Sequence, residues 1–230
     1  MMANHSNSTT TLRVAQVAFN LGQYVLGARA GGMGVWVAGC SLNKCLGCTS
    51  AHTWDQTSGS VLTVAQLIGV ACGQSQPPSR LMVSGGEPTD QADAVMALVR
   101  AFSREFPNAE TVLYTGLRWS AMTRRFAALA DAVDVVIAGP YVQSLPATPL
   151  AGSANQTVHL LTARAAERYG DWLQWPMHAV QVAAGRGHDL VTVGIPKRGA
   201  MQRAAAALPV AAASWSHVEL QSQRKTRSTA

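Results

Sequence analysis

The sequence predicts an α/β fold built on a mostly parallel sheet. Three observations carry that expectation: short apolar runs rich in Val, Leu and Ile, stretches of helical periodicity between them, and a strand-to-helix alternation that repeats three times. Parallel strands buried on both faces read as continuous apolar runs, because crossover helices cover the sheet. Ligands of such sheets bind beyond the C-terminal ends of the strands, so the chemistry is expected there.

The expected strands are residues 34–38, 81–84, 111–114 and 133–138, each bounded by Gly, Pro or polar residues. The intervening helices are residues 63–72, after a Ser/Thr cap candidate, residues 91–105, beginning after Asp90, and residues 120–130, with Met122, Phe126 and Leu129 at helical spacing. Residues 157–161 read as a further strand, and residues 179–184 and 189–193 as a hairpin around Gly185-Arg186-Gly187-His188. A final helix, 199–208, follows Ile195-Pro196. With no internal repeat and no Gly/Ser or Pro-rich linker, residues 1–220 are expected to form one domain, and residues 221–230 a basic disordered tail.

Composition narrows the function. The chain has 230 residues, 48% hydrophobic and only 13% charged, which is a globular composition with enough length for a sizeable core. Of the formal charge of +6, Arg224, Lys225 and Arg227 supply three, so the body is nearly balanced. Its remaining arginines are scattered and form no basic stripe, which argues against nucleic-acid binding. The longest apolar stretch, 204–213, is interrupted by Pro209 and falls far short of the roughly 18 residues of a membrane span. The first ten residues show neither a basic n-region nor an apolar h-region, so the expected address is the cytoplasm.

Three of the four cysteines, Cys40, Cys45 and Cys48, crowd into the loop after the first expected strand. That spacing suits metal in a reducing compartment better than a disulfide framework. Structural zinc would want four ligands, and His52 is available as a fourth. An iron–sulfur cubane with three thiolates leaves one iron open to a ligand instead. Cys72, within Val70-Ala71-Cys72, reads as a buried small hydrophobe in a helix. The second signal is Ser84-Gly85-Gly86-Glu87-Pro88, where a strand runs into two glycines and a carboxylate. Glycines admit a ligand close to the backbone and a fixed glutamate can take an ammonium group, although alone the motif is also a plain strand-to-helix turn.

Together these segments resemble the radical S-adenosylmethionine (SAM) superfamily, which places a cysteine loop after the first strand and Gly-Gly-Glu after the second. More narrowly, the chain resembles the small activating proteins of anaerobic ribonucleoside-triphosphate reductase. That resemblance runs through Val35-Trp36-Val37-Ala38-Gly39-Cys40, Cys45-Leu46-Gly47-Cys48, Thr53-Trp54, Tyr114-Thr115-Gly116, Asp134-Val135-Val136-Ile137-Ala138-Gly139-Pro140 and Gly152-Ser153-Ala154-Asn155-Gln156, about residues 25–160. The chain departs from the superfamily spacing in having four residues between Cys40 and Cys45, CxxxxCxxC, which a loop absorbs at small entropic cost. Gly47 stands where an aromatic often precedes the third cysteine, leaving the usual adenine contact there unassigned.

The resemblance implies a partial (β/α) barrel of radical SAM type. It implies that Cys40, Cys45 and Cys48 ligate a [4Fe–4S] cluster, and that Gly85, Gly86 and Glu87 steady the methionine end of SAM. Thr115 and Asn155 are candidate contacts to its ribose or carboxylate, with a turn hydroxyl and an Asx-turn amide as the plainer readings. Trp54 either shields the cluster loop or packs as a core residue. Trp172, Trp175, His178 and His188 receive no role. The implied activity is one-electron cleavage of SAM to a 5′-deoxyadenosyl radical, which abstracts hydrogen from a glycine of a partner glycyl-radical enzyme such as anaerobic ribonucleotide reductase. A flavodoxin-like protein is the implied electron donor. Two alternatives stand beside this: a radical SAM enzyme acting on a small molecule or peptide, and a non-catalytic iron–sulfur electron-transfer module. Maturases with an auxiliary cluster are excluded, since only Cys72 would remain to build it.

Overall fold

The computed structural model describes residues 9–22, 31–175, 180–184 and 190–194. The expected helix 199–208, the hairpin turn 185–188 and the basic tail lie outside them. Seven strands form one sheet: β1 (Thr11–Leu21), β2 (Gly32–Val37), β3 (Ser60–Thr63), β4 (Arg80–Gly85), β5 (Glu110–Thr115), β6 (Val135–Ala138) and β7 (Thr157–Leu160). Their order is β3-β1-β2-β4-β5-β6-β7. β2, β4, β5 and β6 are mutually parallel; β1 and β7 flank them antiparallel, and β3, antiparallel to β1, runs at the edge in the same direction as the central four. β3 and β7 end the sheet without meeting, so the architecture is a partial barrel rather than a closed one. A separate hairpin, β8 (Val180–Ala184) with β9 (Leu190–Gly194), matches the expected one.

The three crossovers are helical, as the periodicity predicts. α1 (Val64–Cys72) joins β3 to β4, and α2 (Ala92–Glu105) joins β4 to β5. α1 starts on a capping box, with the Gln66 N–H donating to Thr63 Oγ1 at 3.0 Å and the Thr63 N–H to Gln66 Oε1 at 2.8 Å. The third expected helix, 120–130, is instead two: α3 (Trp119–Arg125) and α4 (Ala127–Ala130). Phe126 leaves helical geometry at φ −135°, ψ 38°, so the chain turns there. One further short helix, α5 (Ala163–Tyr169), follows β7 and was not expected.

The largest departure is β1. Its sequence, TLRVAQVAFNL, fails the period-two test because the register with β2 shifts between Val14 and Gln16 and again between Ala18 and Leu21. The bulges put Val17, Ala18 and Phe19 all out of water, and alternation disappears. The cysteine loop therefore follows the second strand of the fold, and the Gly-Gly-Glu motif follows the fourth.

Alternation is strict in the parallel strands. Leu81 and Val83 of β4, with Val35 and Val37 of β2 and Leu113 of β5, face the layer made by α1, α2 and α4. Met82 and Trp36 point to the opposite face, where they meet Ala18, Leu21 and Val193. Both faces are covered, which is why these runs read as continuously apolar.

The N-terminal ends of the strands carry a buried polar network. The Arg80 guanidinium donates to Glu110 at 3.1 Å, Arg168 pairs with the same carboxylate, and the Tyr169 hydroxyl donates to it at 3.3 Å. Asp134 accepts from the Thr111 N–H at 2.9 Å and from the Thr162 hydroxyl at 2.8 Å. These contacts bind α5 to the bottom of the sheet and leave the C-terminal ends for chemistry. Among the described residues, no helix is long and apolar enough to cross a membrane.

Candidate active site

A half-open cavity lies at the C-terminal ends of β2, β4, β5 and β6, where the sheet topology predicts it. Cys40, Cys45 and Cys48 all line it, and each thiol is half-buried. Cys72 does not, and it lies exposed at the last position of α1 rather than buried as its apolar neighbours in the sequence suggest. His52 is turned away as well, with its ring 3.4 Å from Gln16 Oε1 on β1, so it is no fourth ligand. Among the described residues, no three His, Cys, Asp or Glu side chains are drawn together around one metal ion. Three thiols around one cavity fit the donor set of a cubane cluster, in which each thiolate takes its own iron.

The loop that carries the thiols is clamped from both sides. The Gly39 N–H donates to Thr53 O at 2.8 Å and the Cys40 N–H to Trp54 O at 3.2 Å, tying its start to the turn Ala51–Thr53. Burial pushes the Cys40 thiol up, and the backbone N–H groups of Asn43 and Leu42 pull it back. Cys48 is likewise raised by burial and drawn down by N–H groups of the Ser50 backbone and the Trp54 side chain. Trp54 thus lines the cavity and serves the loop with both its backbone and its indole.

The Gly-Gly-Glu motif forms the opposite clamp, and its glycines have a role the sequence did not reveal. Gly85 has φ +107°, and a Cβ there would come within 2.5 Å of the Val37 nitrogen. A Cβ on Gly86 would overlap the Gly39 carbonyl. The motif thereby lies directly on the chain leading into Cys40, with the Gly86 N–H donating to Val37 O and the Glu87 N–H to Gly39 O, both at 2.8 Å. Gly86 borders the cavity, whereas Gly85 does not.

Glu87 is 2% exposed and lines the cavity floor. Its carboxylate accepts from the Thr89 N–H at 3.1 Å, the Thr89 hydroxyl at 2.8 Å, the Thr115 hydroxyl at 2.8 Å and the Gly116 N–H at 2.8 Å. Burial pushes the carboxyl above its ordinary range, while these hydrogen bonds oppose the rise. Thr115 is also buried and lines the cavity, but its hydroxyl is committed to Glu87 and accepts from the Leu117 N–H at 3.1 Å.

Asn155 does not line the cavity; its side-chain amide donates to Pro140 O at 2.8 Å. The neighbouring Gln156 borders the cavity and donates to Gly139 O at 2.9 Å, and the buried Ser153 hydroxyl accepts from the Val142 N–H at 3.0 Å. The Gly152-Ser153-Ala154-Asn155-Gln156 segment is therefore a staple for the 139–142 loop. That loop brings Tyr141 to the cavity wall near Cys48, where burial and then the Cys48 charge raise the phenol. Gly47 has φ +70°, a left-handed conformation that disfavours the aromatic expected there, and its Cα faces the side-chain amide of Gln143. Sequence reasoning missed Tyr141, Gln143 and Gln156 because their contacts cross between loops.

A family model described as "4Fe-4S single cluster domain" matches residues 26–159. The anaerobic ribonucleoside-triphosphate reductase-activating protein of Vibrio cholerae is 30% identical over 135 residues, spanning 56% of this chain and 86% of that protein. Its counterpart in Escherichia coli K12 is 28% identical over 134 residues, spanning 55% and 86%. Among solved structures, QueE from Escherichia coli aligns with a TM-score of 0.38 and 16% identity over 46% of this chain and 53% of its own, a distant likeness on which nothing further rests. The match to half of the chain by the cluster-domain model, and to most of the Vibrio cholerae protein, settles the family: the chain is a member of the 4Fe-4S single cluster domain family and, within the radical SAM superfamily, of the enzymes represented by the anaerobic ribonucleoside-triphosphate reductase-activating proteins, with a [4Fe–4S] cluster and SAM as cofactors.

Proposed function

We propose that the chain cleaves SAM reductively and withdraws a hydrogen atom from a backbone glycine of a partner glycyl-radical enzyme of the anaerobic ribonucleotide reductase kind. The observation that supports this reading is the convergence of Cys40, Cys45, Cys48, Gly86 and Glu87 on one cavity at the C-terminal ends of the parallel strands. Cys40, Cys45 and Cys48 would hold the cluster, which when bound supplies the single electron and an open iron for the amino and carboxylate groups of SAM.

The rest is done by the chain itself. Glu87, already bonded to Thr89, Thr115 and Gly116, is a fixed carboxylate at the cavity floor and offers a charged acceptor to the N–H of the SAM amino group. Thr115 acts through Glu87 by orienting it. Asn155 acts through the loop it staples, and Gly85 through the close approach of β4 to β2. Trp36, Met82 and Tyr114 supply an apolar wall that excludes water from the reacting centre.

The activating-protein relatives support a protein partner as the hydrogen donor over a small molecule. A flavodoxin-like donor, in a reducing cytoplasm, completes the scheme. The test is to incubate the anaerobically reconstituted chain with SAM, a one-electron reductant and an anaerobic ribonucleotide reductase, and to record electron paramagnetic resonance spectra. A glycyl-radical doublet on the large partner is expected. SAM turnover with no radical on any such partner would point to a small-molecule or peptide substrate.

A further inference from the structure

The spacing between Cys40 and Cys45 gives the loop Ser41, Leu42, Asn43 and Lys44, all but Leu42 exposed. A longer loop has more conformations to lose on closing round a cluster. One side chain restrains it. Asp90, in the turn Pro88–Gln91 directly after the Gly-Gly-Glu motif, accepts the Ser41 N–H on Oδ2 and the Ser41 hydroxyl on Oδ1, both at 2.7 Å. Two short bonds from one carboxylate to one residue fix that residue's position and orientation together.

The consequence reaches the sulfur. With the Ser41 N–H held by Asp90, the next two N–H groups of the loop, those of Leu42 and Asn43, turn to the Cys40 sulfur. Asp90 is itself anchored, because its N–H donates to Glu87 O at 3.0 Å. The neighbouring Gln91 side chain donates to Ala38 O at 3.1 Å and to Arg13 O at 3.0 Å, holding the strand ends beneath.

We infer that Asp90 is a positioning residue for the iron–sulfur centre: by gripping Ser41 it sets the geometry of the lengthened loop and places a fixed negative charge beside the Cys40 ligand. The inference rests on the proposed ligation by Cys40, Cys45 and Cys48. It assigns two roles to one carboxylate, and two substitutions separate them. Asp90→Ala removes both the anchor and the charge. Asp90→Asn keeps the size, an acceptor oxygen for the Ser41 N–H and an amide N–H that can donate to the Ser41 hydroxyl oxygen, but discards the charge.

The experiment uses the reconstituted full chain under anaerobic conditions and reads two quantities, the rate at which a ferrous chelator strips iron and the midpoint of a redox titration followed by electron paramagnetic resonance. Asp90→Ala is expected to lose iron about tenfold faster than the unaltered chain, the size of effect seen when outer-shell partners of metal ligands are removed. Ser41→Ala, which forfeits one of the two bonds, should fall between. Asp90→Asn should retain its iron but show a more positive midpoint, since a negative charge beside the cluster disfavours adding an electron. Iron loss from Asp90→Ala at the unaltered rate, with an unshifted midpoint in Asp90→Asn, would overturn the inference while leaving the ligation intact. Failure of the unaltered chain itself to take up a cluster would overturn the ligation first.

Discussion

Glu87, just after β4, and Thr115, the last residue of β5, stand 28 residues apart and are joined by a hydrogen bond of 2.8 Å, from the Thr115 hydroxyl to the Glu87 carboxylate. With the Glu87 N–H on Gly39 O, the bond makes one unit of the loops that follow β2, β4 and β5. Replacing Glu87 by Ala leaves buried donors on Thr89, Thr115 and Gly116 without their acceptor. Each such group costs about 1–3 kcal/mol, so a stability loss of at least ~2 kcal/mol is expected, measured as a lower urea midpoint. SAM affinity should fall with it, while iron content should stay near that of the unaltered chain.

Trp54 carries the Cys40 N–H on its carbonyl and directs its indole N–H at Cys48. Hydrogen bonds to cluster sulfurs favour the reduced state. Trp54→Phe keeps the ring bulk and deletes the donor. Its cluster should therefore titrate at a more negative midpoint with unchanged iron content, read by redox titration.

The opposite end of the sheet makes a contrasting prediction. Arg80 is fully buried against Glu110, which also takes Arg168 and the Tyr169 hydroxyl. Removing one partner of a buried pair costs about 3–5 kcal/mol because charge is left in a low-dielectric interior. Glu110→Ala is expected to destabilise by that order in chemical unfolding. Whatever fraction folds should bind SAM with unaltered affinity.

His52 offers a pH test. The residue is exposed at the surface, and partial desolvation of its ring holds the imidazole below the ordinary value of 6.5. The unfolded chain then binds the proton more readily than the folded one, so stability falls as pH drops through 6.5 toward the folded value and levels below it. His52→Gln should flatten that part of the profile, measured by urea unfolding between about pH 7.5 and 5.5.

Much of this was legible in the sequence where a local pattern sufficed. The runs at 81–84 and 111–114 are buried on both faces, so their composition alone marked them as central parallel strands. The thiols of Cys40, Cys45 and Cys48 were found by spacing, and Glu87 by its place after a strand. β1 escaped because its bulges erase alternation, and α5 because its seven residues give too short a period to recognise. The meaning of Gly85 and Gly86 also escaped: they were read as room for a ligand, and the backbone of Val37 and Gly39 fills that room. Asn155 was placed by sequence on the rim, yet its amide is spent on Pro140. Contacts between loops distant in sequence have no local signature, and the site is assembled from such contacts.

The central claim is radical SAM chemistry at a cavity ringed by three thiols, despite the longer spacing from Cys40 to Cys45. The most direct test is anaerobic reconstitution with iron and sulfide, reduction with dithionite in the presence of SAM, and assay for 5′-deoxyadenosine. The unaltered chain and Cys72→Ala should both form it, and Cys45→Ala should form none and hold little iron. A stable, reducible cluster that never yields 5′-deoxyadenosine, or equal losses in Cys45→Ala and Cys72→Ala, would contradict the account.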